Sequence, residues 1–434
     1  MGNSHQCHSS VVSMAYFALA DCNNFYVSCE RVFNPALEKQ PIIILSNNDG
    51  CIISRSNEAK ALGIPMGAPA FKYRDWVRRG QIRCFSSNYA LYGDMSQRVM
   101  DSLRRLCPDM EVYSIDEAFL KLDHYSYYDL KAYLIEIRQK VKQWTGIPIS
   151  IGLASSKTLA KVANFYAKRI SKTGVYDLRC AVHRDSLLKT LPIEEIWGIG
   201  RKLTEKLQHY SIKTAFDLQQ ANPKIMRRRF SVVIERIILE LNGISCLDLE
   251  TVAAKKQIMC SRSFGRPVTD WQDLSSALSR YAARAAYKLR KQNSKAQAIY
   301  VFVTTNRHKT SDRQYTKGLT SSLVTATNDT RELITAAQRV LKQLYKTGFN
   351  YKKAGILLID IISDSQHLND LFVQPTSLRS VALMKILDET NKSFGSHTLF
   401  FAAEGCVQAS WSMRSGNRSP RYTTHWQEIV KVIA

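Results

Sequence analysis

Two short acidic sites stand out. Asp21 closes the apolar run Tyr16–Ala20, and Asp116 and Glu117 sit in Tyr113-Ser114-Ile115-Asp116-Glu117-Ala118-Phe119. A carboxylate among such neighbours is costly to bury unless a cation compensates it. Magnesium suits the role, because it takes carboxylate and water oxygens and lets substrate phosphates complete its shell. Two such ions would stabilise both the attacking and the leaving oxygen of a displacement at phosphorus. In that chemistry Asp21 bridges both ions, Asp116 is shared, and Glu117 serves the ion nearer the attacking hydroxyl. Spacing alone leaves other readings open. An Asp-Glu pair is common, and either residue can cap a turn or pair with an arginine. Neighbours on a regular strand also face opposite ways. Asp116 and Glu117 can share a site only at a strand end, turn or bulge.

Cations that could hold a triphosphate lie between and beyond these sites. Ser54, Arg55 and Lys60 fall in Cys51–Lys60, which follows a turn and opens a short helix. A helix start with hydroxyls and cations is a natural phosphate seat. A second helix opens at Ser155-Ser156-Lys157-Thr158, with Lys168 at its far end. Taken singly, each of these residues also reads as part of a solvated basic face. Tyr26 lies five residues beyond Asp21. If Asp21 holds a metal-bound triphosphate, a ring there presses on the sugar and excludes a 2′-hydroxyl. The alternative is a core aromatic, a role that suits Phe25 better.

Trp197-Gly198-Ile199-Gly200-Arg201-Lys202 reads as the hairpin of a helix-hairpin-helix. Two glycines permit a tight turn, and backbone N–H groups at the next helix start can hold a phosphate without reading sequence. Gly198, Gly200, Arg201 and Lys202 are therefore DNA-binding candidates. Lys224, Arg227, Arg228 and Arg229 continue the positive run. A second basic surface holds Arg262 and Arg266, with the helix bearing Arg280, Arg284, Lys288, Arg290 and Lys291.

The elements that must position these residues alternate. Strands are expected over Tyr16–Ala20, Pro41–Leu45, Glu111–Ile115 and Pro148–Leu153. Helices are expected over Asn57–Leu62, Leu130–Trp144 and Ser156–Lys168. This is an α+β catalytic module ending near Leu178. A helical stretch follows from Ser186 to about Asn242, then an aperiodic linker. From Gln257 to Asp360 the pattern is strand, helix (Leu274–Lys291), strand (Ala296–Thr304), strand, helix (Glu332–Tyr345), strand (Ala354–Asp360). The tail Ile361–Ala434 reads as less regular.

The bulk composition agrees with a nucleic-acid partner. The 434 residues exceed one ordinary domain of roughly 100–200 residues. Lys and Arg number 61 against 37 Asp and Glu, a formal net charge of +24. Such an excess repels itself unless an anion neutralises it, and phosphate backbones are the commonest partner. No amphipathic basic anchor, long apolar run or signal peptide points to a membrane, so a cytoplasmic protein is expected. The ten cysteines include no CxxC pair, which argues against a zinc ribbon. Residues 1–13 read as a loose extension, with His5, Cys7 and His8 an incidental cluster.

Read together, the runs resemble the UmuC branch of the Y-family translesion DNA polymerases, the branch that supplies the catalytic subunit of bacterial DNA polymerase V. The likeness covers nearly the whole chain from Met14. It is carried by ALADCNNFYVSCE (18–30), LSNNDGCIISRSNEAKALGIPMG (45–67), CFSSNYALYGDMSQRVM (84–100), YSIDEAF (113–119), SSKTLAKVAN (155–164), WGIGRKL (197–203), CSRSFG (260–265) and SPRYTT (419–424).

The resemblance implies a right-hand architecture: palm (14–24 and 86–177), fingers (25–85), helical thumb with the helix-hairpin-helix (178–243), linker (244–255) and α+β little finger (256–361). A UmuC-type C-terminal region (362–434) follows. It implies Asp21, Asp116 and Glu117 as the site of two magnesium ions, joined by the backbone carbonyl of Cys22. It implies Tyr26 as the gate against ribonucleotides, and Ser54, Lys60 and Lys168 at the triphosphate. Position 57 is Asn where other branches carry Tyr. It implies primer-template DNA and dNTP as substrates, no proofreading, induction in the SOS response, and a processed UmuD-type dimer and a RecA filament as partners. The stretch Gln366–Phe372 falls where such chains carry a sliding-clamp motif, with irregular spacing. A metal-dependent nuclease and a non-catalytic DNA-binding protein remain the rival readings.

Overall fold

The computed structural model describes residues 16–125, 129–250, 253–366, 377–405, 409 and 411–430. The extension 1–13 lies outside these residues, as does Gln366–Phe372 apart from Gln366 itself. Two compact units are present, one of residues 1–45, 51–251 and 417–434 and the other of 46–50 and 252–416.

In the first unit the elements run β1 (Phe17–Cys22), α1 (Phe25–Phe33), β2 (Ile42–Leu45), β3 (Ile52–Arg55), α2 (Asn57–Ala61), α3 (Arg74–Arg78), β4 (Arg83–Ser86) and α4 (Tyr89–Leu106). Then come β5 (Met110–Val112), β6 (Glu117–Lys121), α5 (Leu130–Thr145), β7 (Ile149–Ala154), α6 (Lys157–Ala167) and β8 (Val175–Asp177). Five short helices follow: α7 (Ala181–Thr190), α8 (Arg201–Gln208), α9 (Ala215–Gln220), α10 (Pro223–Arg229) and α11 (Val232–Leu241).

The main sheet has the order β5-β6-β1-β7-β8, antiparallel except for the β7–β8 pair. Alternation along β1 sends Ala18, Ala20 and Cys22 into a core with α1, α4 and α5. Phe17 and Leu19 point the other way, into a core with α6 and α7–α11, and Phe119 of β6 joins them there. A small sheet, β3-β2-β4, has its own cluster around Ile43, Ile52 and Ile64.

Helix α6 lies unusually close on the sheet. A Cβ at Gly152 of β7 would meet the Asn164 backbone N at 2.1 Å and the Ala160 carbonyl at 2.4 Å. Only glycine lets the helix backbone rest there. Asn164 then donates to the carbonyls of Ser150 (2.7 Å) and Leu19 (3.2 Å), tying α6 to two strands.

The second unit contains β9 (Ile258–Val268), α12 (Trp271–Lys291), β10 (Ser294–Thr305), β11 (Thr316–Thr327), α13 (Thr330–Leu344), β12 (Tyr351–Ser363) and α14 (Leu378–Phe394). Its sheet, β11-β10-β12-β9, is wholly antiparallel, and α12 and α13 share its core. The 17-residue α14 corrects the expectation of an irregular tail. It shows little amphipathic pattern, because only Ser380, Met384 and Leu387 are buried. Its Asp388 instead takes a two-point pairing from Arg290 at 2.7 and 2.8 Å. No helix among the described residues is long and apolar enough to cross a membrane.

Candidate functional site

The strand expected over Glu111–Ile115 ends at Val112. Ser114 folds the chain back: its hydroxyl donates to Asp116 Oδ1 at 2.6 Å and accepts the N–H groups of Asp116 (3.2 Å) and Glu117 (3.1 Å). Asp116 therefore sits in the turn, its carbonyl accepting from the Cys22 N–H at 2.9 Å, while Glu117 opens β6. Glu117 is the direct cross-strand partner of Asp21. Both point to the α6 side of the sheet, since alternation groups Asp21 with Leu19 and Glu117 with Phe119. Burial lifts the Asp21 carboxyl above the ordinary carboxylate range. Lys168 pulls it down, and the nearby charges of Glu117 and Asp116 push it up. The three acidic groups thus share one electrostatic neighbourhood at the end of the β1–β6 pair.

Helix α6 lays cations on that neighbourhood. Lys161 pairs with Glu117 at 3.0 Å, and Lys168, one residue past the helix, pairs with Asp21 at 2.6 Å. Lys161 and Lys168 are two helical turns apart and so share a face. Lys161 is also caged by aromatic rings, 4.3 Å from the centroid of Tyr113, 5.3 Å from Trp197 and 5.7 Å from Phe119. Trp197 Nε1 donates to Tyr113 Oη at 3.1 Å, so the glycine hairpin touches the acidic turn through this cage.

Among the described residues no three acidic, histidine or cysteine side chains are gathered into a ready metal cage. The carboxylate oxygens are engaged instead by Lys168, Ser114 and Lys161. The donor set itself fits a hard divalent cation: partly buried carboxylate oxygens from two adjacent strands and the turn between them, mutually repelling and balanced here by the ammonium groups of Lys161 and Lys168. The Cys22 side chain faces the opposite core, so only its backbone is available on this side.

Of the phosphate candidates, Lys168 pairs with Asp21, and Lys60 lies within electrostatic reach of Arg55, Lys168 and Asp21; Ser54 is not brought to this group. Burial depresses the Lys60 ammonium, and the charges of Arg55, Lys168 and Arg169 depress it further while Asp21 opposes them. Four cations within electrostatic reach of one another, with one carboxylate among them, make a neighbourhood that favours an anion. Lys60 Nζ donates to Asn24 Oδ1 at 2.5 Å, and Asn24 Nδ2 donates to Asn57 Oδ1 at 3.0 Å. Arg55 donates to the Ile64 carbonyl, with its Nε buried and unpaired. Ser54 is buried in β3. Tyr26 stacks on the fully buried Tyr92, ring centroids 4.4 Å apart and planes 14° apart, whereas Phe25 is core.

In the hairpin, Gly198 adopts φ +89°, a conformation that favours glycine, and Gly200 starts α8 without a side-chain cap. Arg201 and Lys202 are exposed in the first turn. In the second unit, Arg266 is exposed. Arg262 alternates with the core residues Cys260 and Phe264, on the helix-covered side of the sheet, and its charge is felt by the buried Tyr281. The uncovered side presents Ser261, Ser263, Lys353 and the stacked rings of Tyr300 and Phe302, which the sequence did not single out.

Family models match in chain order. The impB/mucB/samB family model covers residues 20–164, its helix-hairpin-helix motif 183–212, and its C-terminal domain 255–371. A domain of unknown function, DUF4113, matches 381–432. Protein UmuC of Salmonella typhimurium is 43% identical over 96% of this chain and 100% of its own length, and Protein ImpB of Salmonella typhimurium 44% identical over 95% and 98%. The chain belongs to the impB/mucB/samB family, the UmuC branch of the Y-family DNA polymerases. A DNA polymerase IV of Bacillus velezensis is more distant, 24% identical over 87% of this chain and 90% of its own. A solved Y-family DNA polymerase chimera shares the α+β right-hand fold, with a TM-score of 0.63 at 20% identity, covering 80% of this chain and 99% of that one.

Within this UmuC-branch chain, sequence reasoning missed Ser114, Lys161 and Arg169. The first two gave a signal in retrospect. Ser114 precedes the acidic pair at turn spacing, and Lys161 lies one turn from Lys157 and two from Lys168. Arg169 gave none, because its role appears only through the charges beside it.

Proposed function

We propose that this chain, a DNA-directed DNA polymerase, extends primers across damaged template by nucleotidyl transfer without proofreading, as part of the SOS response. The observation that carries the reading is the meeting of Asp21 and Glu117, cross-strand partners, with the crowded cations Arg55, Lys60, Lys168 and Arg169. Opposite charges of these kinds side by side suit a metal-bound triphosphate and little else. Asp21, Asp116, Glu117 and the Cys22 carbonyl hold two magnesium ions, which supply charge neutralisation at the attacking and leaving oxygens. The cations orient the triphosphate so that the primer 3′-hydroxyl lies in line with the α-phosphorus, and pyrophosphate leaves. Lys168 moves from Asp21 to a phosphate as the nucleotide enters. Positioning and electrostatics supply the rate, since the protein forms no covalent intermediate. Tyr26, backed by Tyr92, excludes the 2′-hydroxyl. Gly198, Gly200, Arg201, Lys202 and Arg266 grip DNA backbone, whereas Arg262, on the helix-covered side of its sheet, is left out of that surface, and the working partners are a processed UmuD-type dimer and a RecA filament.

The test is a labelled primer on an abasic template with magnesium, with and without dNTPs and activated RecA. Extension that needs dNTPs, and that Asp116→Ala abolishes while DNA binding persists, is the expected result. Primer shortening would favour a nuclease, and binding without turnover a scaffold.

A further inference from the structure

The C-terminal segment reaches the back of the gate. Glu30 lies one helical turn after Tyr26 on α1, and the residue is only 2% exposed. Among the described residues it has no basic partner. Its Oε1 instead accepts two hydroxyls, from Tyr92 at 2.7 Å and from Ser419 at 2.9 Å. Tyr92 is the ring on which Tyr26 stacks.

Asn88 completes the link. Its Oδ1 accepts from the Leu91 N–H and caps α4, the helix that carries Tyr92. Its Nδ2 donates, at 3.0 Å each, to the carbonyl and hydroxyl of Ser419 and to the carbonyl of Pro420. Next to it, Ser86 and Asn417 exchange two bonds, Ser86 N–H to the Asn417 carbonyl at 2.9 Å and Asn417 N–H to Ser86 Oγ at 3.0 Å. Tyr422 stacks on Phe33 at the end of α1, 4.7 Å between centroids. One short segment thus ties both helices that form the gate, α1 through Glu30 and Phe33 and α4 through Asn88.

We propose that Ser419, in the region whose family model is a domain of unknown function, is a positioning residue for nucleotide sugar selection, acting through Glu30 and Tyr92 on Tyr26. The proposal rests on Tyr26 being the sugar gate. A stacked ring excludes a hydroxyl only if the ring behind it cannot retreat. Tyr92 is held from retreating by its hydroxyl bond to a carboxylate that is itself fixed by the tail. Without the Ser419 hydroxyl, Glu30 keeps a single donor in a buried place and its grip on Tyr92 loosens.

The experiment compares kcat/KM for a deoxynucleotide and its ribonucleotide on primer-template, using the full chain under conditions where it extends. Ser419→Ala should lower the discrimination ratio about fivefold, mainly through the ribonucleotide KM, and Ser419→Thr, which keeps the hydroxyl, should restore it. Tyr92→Phe keeps the stacked ring but cuts the bond to Glu30, and should lower the ratio similarly even if Ser419→Ala proves poorly folded. Melting curves establish that each variant is folded. If Tyr26→Ala loses discrimination while Tyr92→Phe and a folded Ser419→Ala keep the wild-type ratio, the tail has no such role and the gate stands. If Tyr26→Ala itself keeps the ratio, the gate reading fails and this proposal with it.

Discussion

Asp21 and Glu117 face each other across the β1–β6 pair, and each is held by a lysine from the same stretch of chain, Lys168 at 2.6 Å and Lys161 at 3.0 Å. The two ion pairs differ in what surrounds them. Lys168 is the more open of the two and lies one residue past the helix. Lys161 is walled in by Tyr113, Phe119 and Trp197 and competes directly for the Glu117 oxygens.

That competition gives the first prediction. Removing the ammonium in Lys161→Met leaves Glu117 without its cation and lowers the repulsion a divalent ion meets on entry. Manganese binding to the free protein, read by electron paramagnetic resonance, should tighten about threefold or more. Unchanged affinity would mean that Lys161 does not contest the metal oxygens.

The second concerns how α6 is set on the sheet. Gly152→Ala places a Cβ 2.1 Å from the Asn164 backbone N, so the helix must move and carry Lys161 and Lys168 with it. A loss of about 1–3 kcal/mol in stability is expected from such overpacking. Primer extension should fall more than tenfold. Gly200→Ala is the control: nothing lies within 4 Å of its Cβ and its φ of −95° suits any residue. Denaturant melts should show Gly200→Ala near wild type. Equal effects from both would show that the contact at Gly152 is not what sets the helix.

Much of this site could be read along the chain, and the unread parts have physical causes. Asp21 was legible because an uninterrupted apolar run marks β1. The conflict between adjacent Asp116 and Glu117 was legible too, but not its resolution, since the turn is made by a single Ser114 side chain and not by glycine or proline. The sidedness of Arg262 follows from its alternation with Cys260 and Phe264, which the reading of Arg262 as part of a basic surface passed over. Helix α14 escaped because its apolar residues are spread around the helix and most of them, Leu378, Val381, Ile386 and Phe394 among them, stay exposed, so no single face shows a period. The tie of Ser419 to Glu30 spans nearly 400 positions, and such pairings leave no trace in spacing.

The third prediction follows from the buried Glu30. Burial raises its carboxyl above the ordinary range, and the hydroxyls of Tyr92 and Ser419 offset only part of that. An acid whose folded pKa exceeds its unfolded value of about 4.3 binds more protons in the native state between those two values. Its contribution to stability therefore grows as pH falls through that window and is smallest at neutral pH and above. Glu30→Gln cannot titrate. The melting temperature of the wild type minus that of Glu30→Gln should be larger at pH 4.5 than at pH 8, the change falling where pH drops through the raised pKa. A flat difference would show that Glu30 does not change protonation on unfolding.

The last prediction separates exposed cations from paired ones on the helices proposed to grip DNA. Arg201 is 89% exposed on its side chain, and its one carboxylate neighbour, Glu205, is 3.8 Å away, a surface pair of little worth. Lys202 is exposed beside it. Each phosphate contact contributes roughly 0.9 to the slope of log affinity against log salt. Arg201→Ala and Lys202→Ala should therefore each lower that slope by about one, on any sequence of the same length, because backbone contacts carry no base readout. Lys224 and Arg227 belong to a run with the same apparent charge, yet both are paired to Glu235 at 2.9 Å. One carboxylate offsets half of their combined charge within the protein, so Lys224→Ala should change the slope by less than Arg201→Ala does. Fluorescence anisotropy of labelled duplex from 50 to 300 mM salt reads all three variants. A Lys224→Ala effect as large as that of Arg201→Ala would show that DNA draws Lys224 away from Glu235, placing the whole run on the backbone.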